Sequence, residues 1–242
     1  MSIFKVLDID KDKVFTFDNQ SKVGRWLMCI DGNATILSSN VTLERGTTVF
    51  IPTTALLNVR AHKKTKLLML EIQDIEQHDP KVNNINNCTT FNYLSEPILE
   101  SKHDQRTRIY VASKTLMGHS AFVAEIVFFP PGVKSSNHCH FGVEHFQYLL
   151  QGSGIVFLDD VPQPIKKGDL VYKYDGEYHY VHNTGEESLV FVEFFVPGSW
   201  ETIWADQSKE CTWSPTGKNT LGTKPTREIT AHKSDGKIIE TV

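Results

Sequence analysis

The second half of the chain reads as short apolar runs set apart by turn residues. They are AFVAEIVFF (121–129), HFQYLLQ (145–151), GIVFLD (154–159), DLVYKY (169–174) and LVFVEFFV (189–196). The runs are rich in Val, Ile, Leu, Phe and Tyr, and turns recur roughly every 8–12 residues, the rhythm of an antiparallel sandwich or barrel. RWLMCI, ATILSS, TTVFIP and KLLMLEI carry the same rhythm in the first third of the chain. No long helical period competes with it, so the pattern predicts an all-β protein.

The pattern also repeats. GTTVFIPTTALLNVRAHKKTKLLMLEI (46–72) lies over GDLVYKYDGEYHYVHNTGEESLVFVEF (168–194) without a gap. Gly46 falls on Gly168, Pro52 on Tyr174 and Glu71 on Glu193. Upstream, GNATIL from Gly32 matches GSGIVF from Gly152 after a two-residue adjustment. A repeat this long points to a duplicated domain rather than a solenoid. The expected organisation is an N-terminal barrel over 1–75, a linker over 76–106, a C-terminal barrel over 107–198 and an extension over 199–242. The linker is polar and rich in Asn, and a short helix over Glu96–Lys102 is the regular element considered there. Trp200, Trp204 and Trp213 imply that the first half of the extension packs on something, with a loose end to follow.

Composition narrows the partners. The 242 residues carry a formal net charge of −4, from 25 basic and 29 acidic side chains. A protein that lives on phosphate contacts carries a basic surplus, so no nucleic-acid partner is expected. The sequence has no apolar stretch of the ~18 residues a membrane helix needs and no secretory leader, so no membrane partner is expected. Four cysteines without a C-x-x-C pair read as free thiols of a cytoplasmic protein.

The chemistry lies in histidines. Five of the 10, His138, His140, His145, His179 and His182, fall between positions 138 and 182. On a strand, residues two apart share a face, so His138 and His140 can converge on one point. Neutral imidazole is the commonest protein metal ligand, and such a cluster suits Mn, Fe, Co, Ni, Cu or Zn.

The segment GVKSSNHCHFGVEHFQYLLQG (132–152) resembles the first motif of the cupin superfamily: G, five residues, H-x-H, three or four residues, E, six residues, G. GDLVYKYDGEYHYVHN (168–183) resembles the second: G, five residues, P-x-G, two residues, H, three residues, N. Gly168, Gly176, His179 and Asn183 fall in register, with Tyr174 in place of the proline. The resemblance covers 107–196 well and 23–75 weakly. It implies two tandem jelly-roll β-barrels, a bicupin, of which the C-terminal one binds one divalent transition metal (Fe, Mn, Ni, Cu or Zn, with Fe(II) or Mn(II) favoured). The implied ligands are His138, His140, His179 and a fourth residue. Counting back from Gly152 puts His145 at the family's glutamate position, and Tyr148-Leu149-Leu150 support that frame. Glu144 is the alternative. His182 is expected to point away. The N-terminal copy has Leu57 where His179 stands and no H-x-H before Gly32, so it is expected to be metal-free.

Further candidates surround these ligands. Glu125 can face inward with Val123 and Val127, as a barrel acid/base or as an edge charge. Gln147 shares the face of His145 and can orient substrate or water. Glu144 is a catalytic candidate if it is not a ligand. Glu193 reads as structural, because its repeat partner Glu71 sits where no metal is expected. Tyr172, Tyr174, Tyr178 and Tyr180 are candidates for the barrel mouth; Arg108 and Lys134 read as surface cations, and His62, His78, His103, His119 and His232 as incidental. Uncompensated charge on an M(II) held by neutral imidazoles favours a small polar or anionic substrate. The expected activity is an oxygenase of dioxygenase type. The alternatives are a cupin isomerase, decarboxylase or hydrolase, or a non-catalytic ligand-binding or pirin-like regulatory protein. A homodimer is a candidate assembly.

Overall fold

In the computed structural model, residues 2–17, 22–55, 57–233 and 242 are described. The chain divides into two compact units, Met1–Leu94 with Leu116–Ala121, and Ser95–Thr115 with Phe122–Val242. Each is a two-sheet jelly roll. Apart from 3-10 turns, the one helix among the described residues is the single turn Lys114–Met117. No helix among them is long and apolar enough to cross a membrane.

In the N-terminal unit one sheet runs Ser2–Ile9, Thr65–Ile72, Gly24–Asp31, Thr47–Ile51, Thr89–Asn92. The other runs Val14–Thr16, Asn58–Ala61, Asn33–Ile36, Val41–Glu44. Between them lies a dry core that includes Leu27, Val49, Leu57, Leu67 and Met69. In the C-terminal unit the larger sheet contains the same succession: Val123–Phe129, Leu189–Val196, Glu144–Gln151, Leu170–Lys173. Beyond Val123–Phe129 it continues through Thr107–Ala112, Leu99–Ser101, Thr212–Pro215 and His232–Lys233. The facing sheet runs Val161–Lys166, Ser153–Leu158, His179–His182, His138–Phe141, Glu201–Trp204. The extension after residue 198 therefore adds strands to both sheets of this barrel. Of the last twenty or so residues, expected to be loose, Ile229 is buried and His232–Lys233 pairs as a strand, while 234–241 lie outside the described residues.

The duplication is visible in backbone detail. Each barrel's second long strand slips register once, at Cys29/Asp31 and at Leu149/Gln151, just before a glycine. Gly32 and Gly152 both adopt positive φ, at 98° and 79°. A β-carbon on Gly32 would lie 2.4 Å from the Lys64 carbonyl oxygen, and one on Gly152 2.7 Å from that of Ser188. Only glycine meets both demands, the left-handed turn and the close backbone approach.

The segment 76–106, read as an irregular linker, holds short 3-10 turns and the strands Thr89–Asn92 and Leu99–Ser101. No helix forms over Glu96–Lys102: Leu99–Ser101 pairs with Thr107–Ala112 on one side and Thr212–Pro215 on the other. Cross-strand pairing outweighs weak local helix preference there.

Alanine at two of the glycines separates the turn from the close approach. Gly152→Ala and Gly132→Ala both force alanine into positive φ, at a cost of ~1–2 kcal/mol. Only the first also meets backbone, since a β-carbon on Gly132 would have nothing within 4 Å. Urea unfolding is expected to show a clearly larger loss for Gly152→Ala, and equal losses would mean that the close approach contributes nothing.

Candidate metal centre

His138 and His140 lie on one strand and His179 on its neighbour, where His138 and His179 face each other in register. The alternation of the strand Cys139 interrupts turns both imidazoles to the same side. One ring nitrogen from each of His138, His140 and His179 lies within 4.8 Å of the others. The opposite side of each ring is anchored. His138 Nδ1 contacts the Ser136 carbonyl at 2.9 Å and His179 Nδ1 the Glu177 carbonyl at 2.8 Å. A carbonyl only accepts, so both Nδ1 atoms carry the proton and both Nε2 atoms keep a lone pair. His140 Nδ1 meets Thr202 Oγ1 at 3.0 Å, and Trp200 Nε1 donates to that same hydroxyl. Trp204 stacks on His138 at 4.9 Å. The extension's tryptophans thus pack on the histidine strand, Trp204 from the side of the cavity that it helps to line.

Burial keeps the rings neutral. It pulls His138 down to about 4, and His140 and His179 well below the ordinary histidine range. Neutral imidazole is the metal-binding form. The Nε2 of His179 is buried and has no hydrogen-bond partner among the described residues. An orphaned acceptor of this kind, in a cluster of three, fits a cation better than it fits anything else on hand.

His145 stands beside the trio, its ring 4.8 Å from that of His140 and stacked on Phe195 at 4.4 Å. Its Nε2 meets Glu193 Oε2 at 3.2 Å and Lys173 Nζ at 3.4 Å, while its Nδ1 is buried and without a partner. His145 and Gln147 line the barrel cavity. Glu144, one step along the strand, is half-buried and does not line it. His182 also stands outside it.

The cupin-domain profile (Cupin_2) matches residues 125–195. An oxalate-binding protein of Thermotoga maritima is 31% identical over 87 residues, which span 36% of this chain and 72% of that protein. The chain is a cupin. An uncharacterised protein of Methanocaldococcus jannaschii is 35% identical over 60 residues, 25% of this chain and 48% of that one. Among solved structures, oxalate decarboxylase of Bacillus subtilis at pH 4.6 superposes with a TM-score of 0.61 at 15% identity, covering 84% of this chain and 70% of that one. A second structure of that enzyme, described for its Mn(II) centres, gives 0.62, 15%, 84% and 71%. At such identity the likeness shows the fold, tandem cupin barrels.

The cupin cavity is more polar than its motifs imply. A row of side chains crosses the larger sheet in register: Tyr110 opposite Glu125, Glu125 opposite Glu193, Glu193 opposite Gln147. Glu125 is inside the barrel, not an edge charge, and is clamped by Arg108 Nη1 at 3.0 and 2.9 Å. Arg108, read as a surface cation, is 3% exposed. Its Nη2 reaches the Tyr110 hydroxyl at 2.6 Å and His232 Nε2 at 2.7 Å. His232, read as incidental, accepts there because its Nδ1 donates to the Thr230 carbonyl. Lys173, which no motif flags, is 2% exposed and donates to Gln147 Oε1 at 2.7 Å. Glu193, read as structural, touches His145. Of the four tyrosines, Tyr180 lines the cavity, whereas Tyr172 and Tyr174 are exposed and Tyr178 does not line it. Lys134 is exposed, over the Tyr180 ring at 4.2 Å.

The same level of the N-terminal barrel is built differently. Leu27 opposite Met69 stands where Gln147 faces Glu193, and both belong to the dry core; Arg25 matches His145, and Glu71, which it binds at 2.8 Å, matches Phe195 rather than Glu193. Leu57 stands for His179 and joins the dry core.

Burial raises the Glu125 carboxyl to about 8, against the pull of Arg108 and with the help of Glu193. Between the ordinary glutamate value of ~4.3 and about 8, the folded state therefore holds a proton that the unfolded chain has lost. Stability from this group is full at low pH and is lost as pH rises through that window, by at most ~1.4 kcal/mol per pH unit. Urea unfolding of wild type and Glu125→Gln from pH 6 to 9 is expected to show wild type losing ground to the variant as pH rises. Parallel curves would place the proton elsewhere.

Proposed function

We propose that the C-terminal cupin barrel holds one divalent transition metal on His138, His140 and His179, and there binds and decarboxylates a small carboxylate dianion of oxalate's size. The observation that carries this is the trio itself: three neutral imidazoles, His140 and His179 buried and His138 half-buried, with their far nitrogens anchored, opening on a cavity of about 40 Å³. So small a cavity suits a ligand of a few heavy atoms. His145 offers its unpartnered Nδ1 as fourth ligand, and Glu144 takes no part. The oxalate-binding and oxalate decarboxylase relatives support both the ligand class and Mn(II) as the preferred ion.

Bound there, the metal supplies Lewis-acid charge for carboxylate oxygens. The chain supplies the rest. Four neutral histidines leave the ion's charge uncompensated, and Arg108 and Lys173 add cations to the same walls. Decarboxylation breaks the C–C bond of the dianion, releases CO2 and needs one proton at the remaining carbon to give formate. Glu125 holds a proton near neutral pH, and Glu193 lies between it and His145. The dioxygenase class expected from the sequence gains no support from these relatives, whereas its decarboxylase alternative does. The second reading is binding without turnover, favoured by the Thermotoga maritima relative, which is described as a binding protein.

Metal analysis, formate and CO2 release, and oxygen uptake together separate these readings. The expected result is about one Mn or Fe per chain, and formate and CO2 from oxalate without stoichiometric oxygen consumption. Binding of oxalate without product would select the second reading, and oxygen uptake matched to product would restore the dioxygenase. His138→Ala, His140→Ala and His179→Ala are each expected to lower metal affinity by more than the ~10–100-fold typical of outer-shell changes, while Glu144→Gln keeps it.

A further inference from the structure

A second group of atoms in the C-terminal cavity has no role in holding a metal. Arg108 Nε, Gln147 Nε2 and Trp213 Nε1 are buried and lack a hydrogen-bond partner among the described residues. The three residues are 3%, 0% and 2% exposed, and all line the cavity that the histidines line. Native proteins leave few such groups, because each costs ~1–3 kcal/mol when unpaired.

All three orphans are donors, and their surroundings keep them so. Arginine and indole nitrogens cannot accept. The amide of Gln147 is oriented by Lys173, whose ammonium only donates and therefore claims Oε1, leaving the NH2 over. The other nitrogens of Arg108 are spent on Glu125, Tyr110 and His232. Trp213 lies against the Arg108 guanidinium, 4.3 Å from ring centre to carbon, with Arg106 at 5.4 Å. A carboxylate offers about four lone-pair sites and no proton of its own, which complements a wall of donors.

We infer that Arg108 Nε, Gln147 Nε2 and Trp213 Nε1 form a carboxylate-binding subsite inside the C-terminal barrel, separate from the histidine trio and sized for a formate-like group. This deepens the function proposed above, since one carboxylate of a small dianion, or a formate product, is its occupant. The subsite itself does not require metal. Glu125 and Glu193 share the cavity, and the Arg108 clamp on Glu125 limits their repulsion.

The test follows the tryptophan indole N–H signals by NMR while sodium formate is added, with sodium chloride at equal ionic strength as the control. Trp213→Phe identifies the Trp213 signal and keeps an aromatic ring over Arg108; unchanged signals from Trp26, Trp200 and Trp204 report that it folds. In wild type the Trp213 signal is expected to move saturably with formate and not with chloride. Calorimetry is expected to show formate binding at least about tenfold weaker in Trp213→Phe and in Gln147→Met, since a hydrogen bond to a charged group is worth ~1.5–3 kcal/mol. A Trp213 signal that ignores formate, or that follows chloride equally, overturns the subsite and leaves the donors to water. Formate affinity equal in wild type and both variants does the same. If Trp213→Phe does not fold, Gln147→Met carries the comparison: an indole shift that persists in it at full amplitude and affinity overturns the proposal. His138→Ala separates this from the proposed function. Metal and turnover fail there while the formate response stays; a wild-type protein without metal or turnover but with the response would sink the function and keep the subsite.

Discussion

A buried imidazole must stay neutral and must satisfy a proton on one side, and the C-terminal barrel meets that demand on the far side of each ring of the histidine trio. The carbonyls of Ser136 and Glu177 hold the Nδ1 protons of His138 and His179, and the Thr202 hydroxyl meets His140. The two carbonyls choose the tautomer of His138 and His179, and all three contacts aim the remaining nitrogen inward. Much of the surrounding structure serves this. The strand Glu201–Trp204 pairs along His138–Phe141 and brings Thr202 beside His140. Asn183, fully buried, donates to the carbonyls of Phe129 and Glu187 and stitches the loop after the His179 strand to its neighbours.

Below the histidines the barrel changes character twice. A polar layer of Gln147, Lys173, Glu193, Glu125 and Arg108 comes first, and a dry cluster of Val127, Leu149, Val156, Ile165, Val181 and Phe191 closes the far end. Buried charges are costly unless paired: Arg108 pairs with Glu125, whereas Lys173 donates to the neutral Gln147 amide and Glu193 meets His145. The extension completes it, through Trp213 against Arg108 and His232 on its Nη2. The polar layer gives the cavity its acid, its cations and its unpaired donors in one place.

What the sequence disclosed follows from how local each feature is. Motif spacing on adjacent strands made the histidine trio, the duplication and the jelly rolls legible, because strand alternation and tight glycine turns are local rules. Partners brought together only by sheet register were not legible. Arg108 and Glu125 meet across two strands, and His232 reaches them from a strand at the opposite end of the chain. Glu193 reads as structural because the ungapped repeat sets Glu71 on it, yet the loop before the Glu193 strand is two residues longer than its N-terminal counterpart, so Met69, in the dry core, holds the place of Glu193. Glu144 and His145 lie one residue apart, so a slip of one exchanges their faces; in the structure His145 lines the cavity and Glu144 does not.

In the proposed centre, anchored, neutral imidazoles present their inward nitrogens to one ion. X-ray absorption at the manganese edge of Mn(II)-loaded protein tests this most directly. Nitrogen scattering with the outer-ring signature of at least three imidazoles is expected, reduced by one in His179→Ala. A spectrum with only oxygen neighbours and no imidazole signature, at one bound ion per chain, would contradict it.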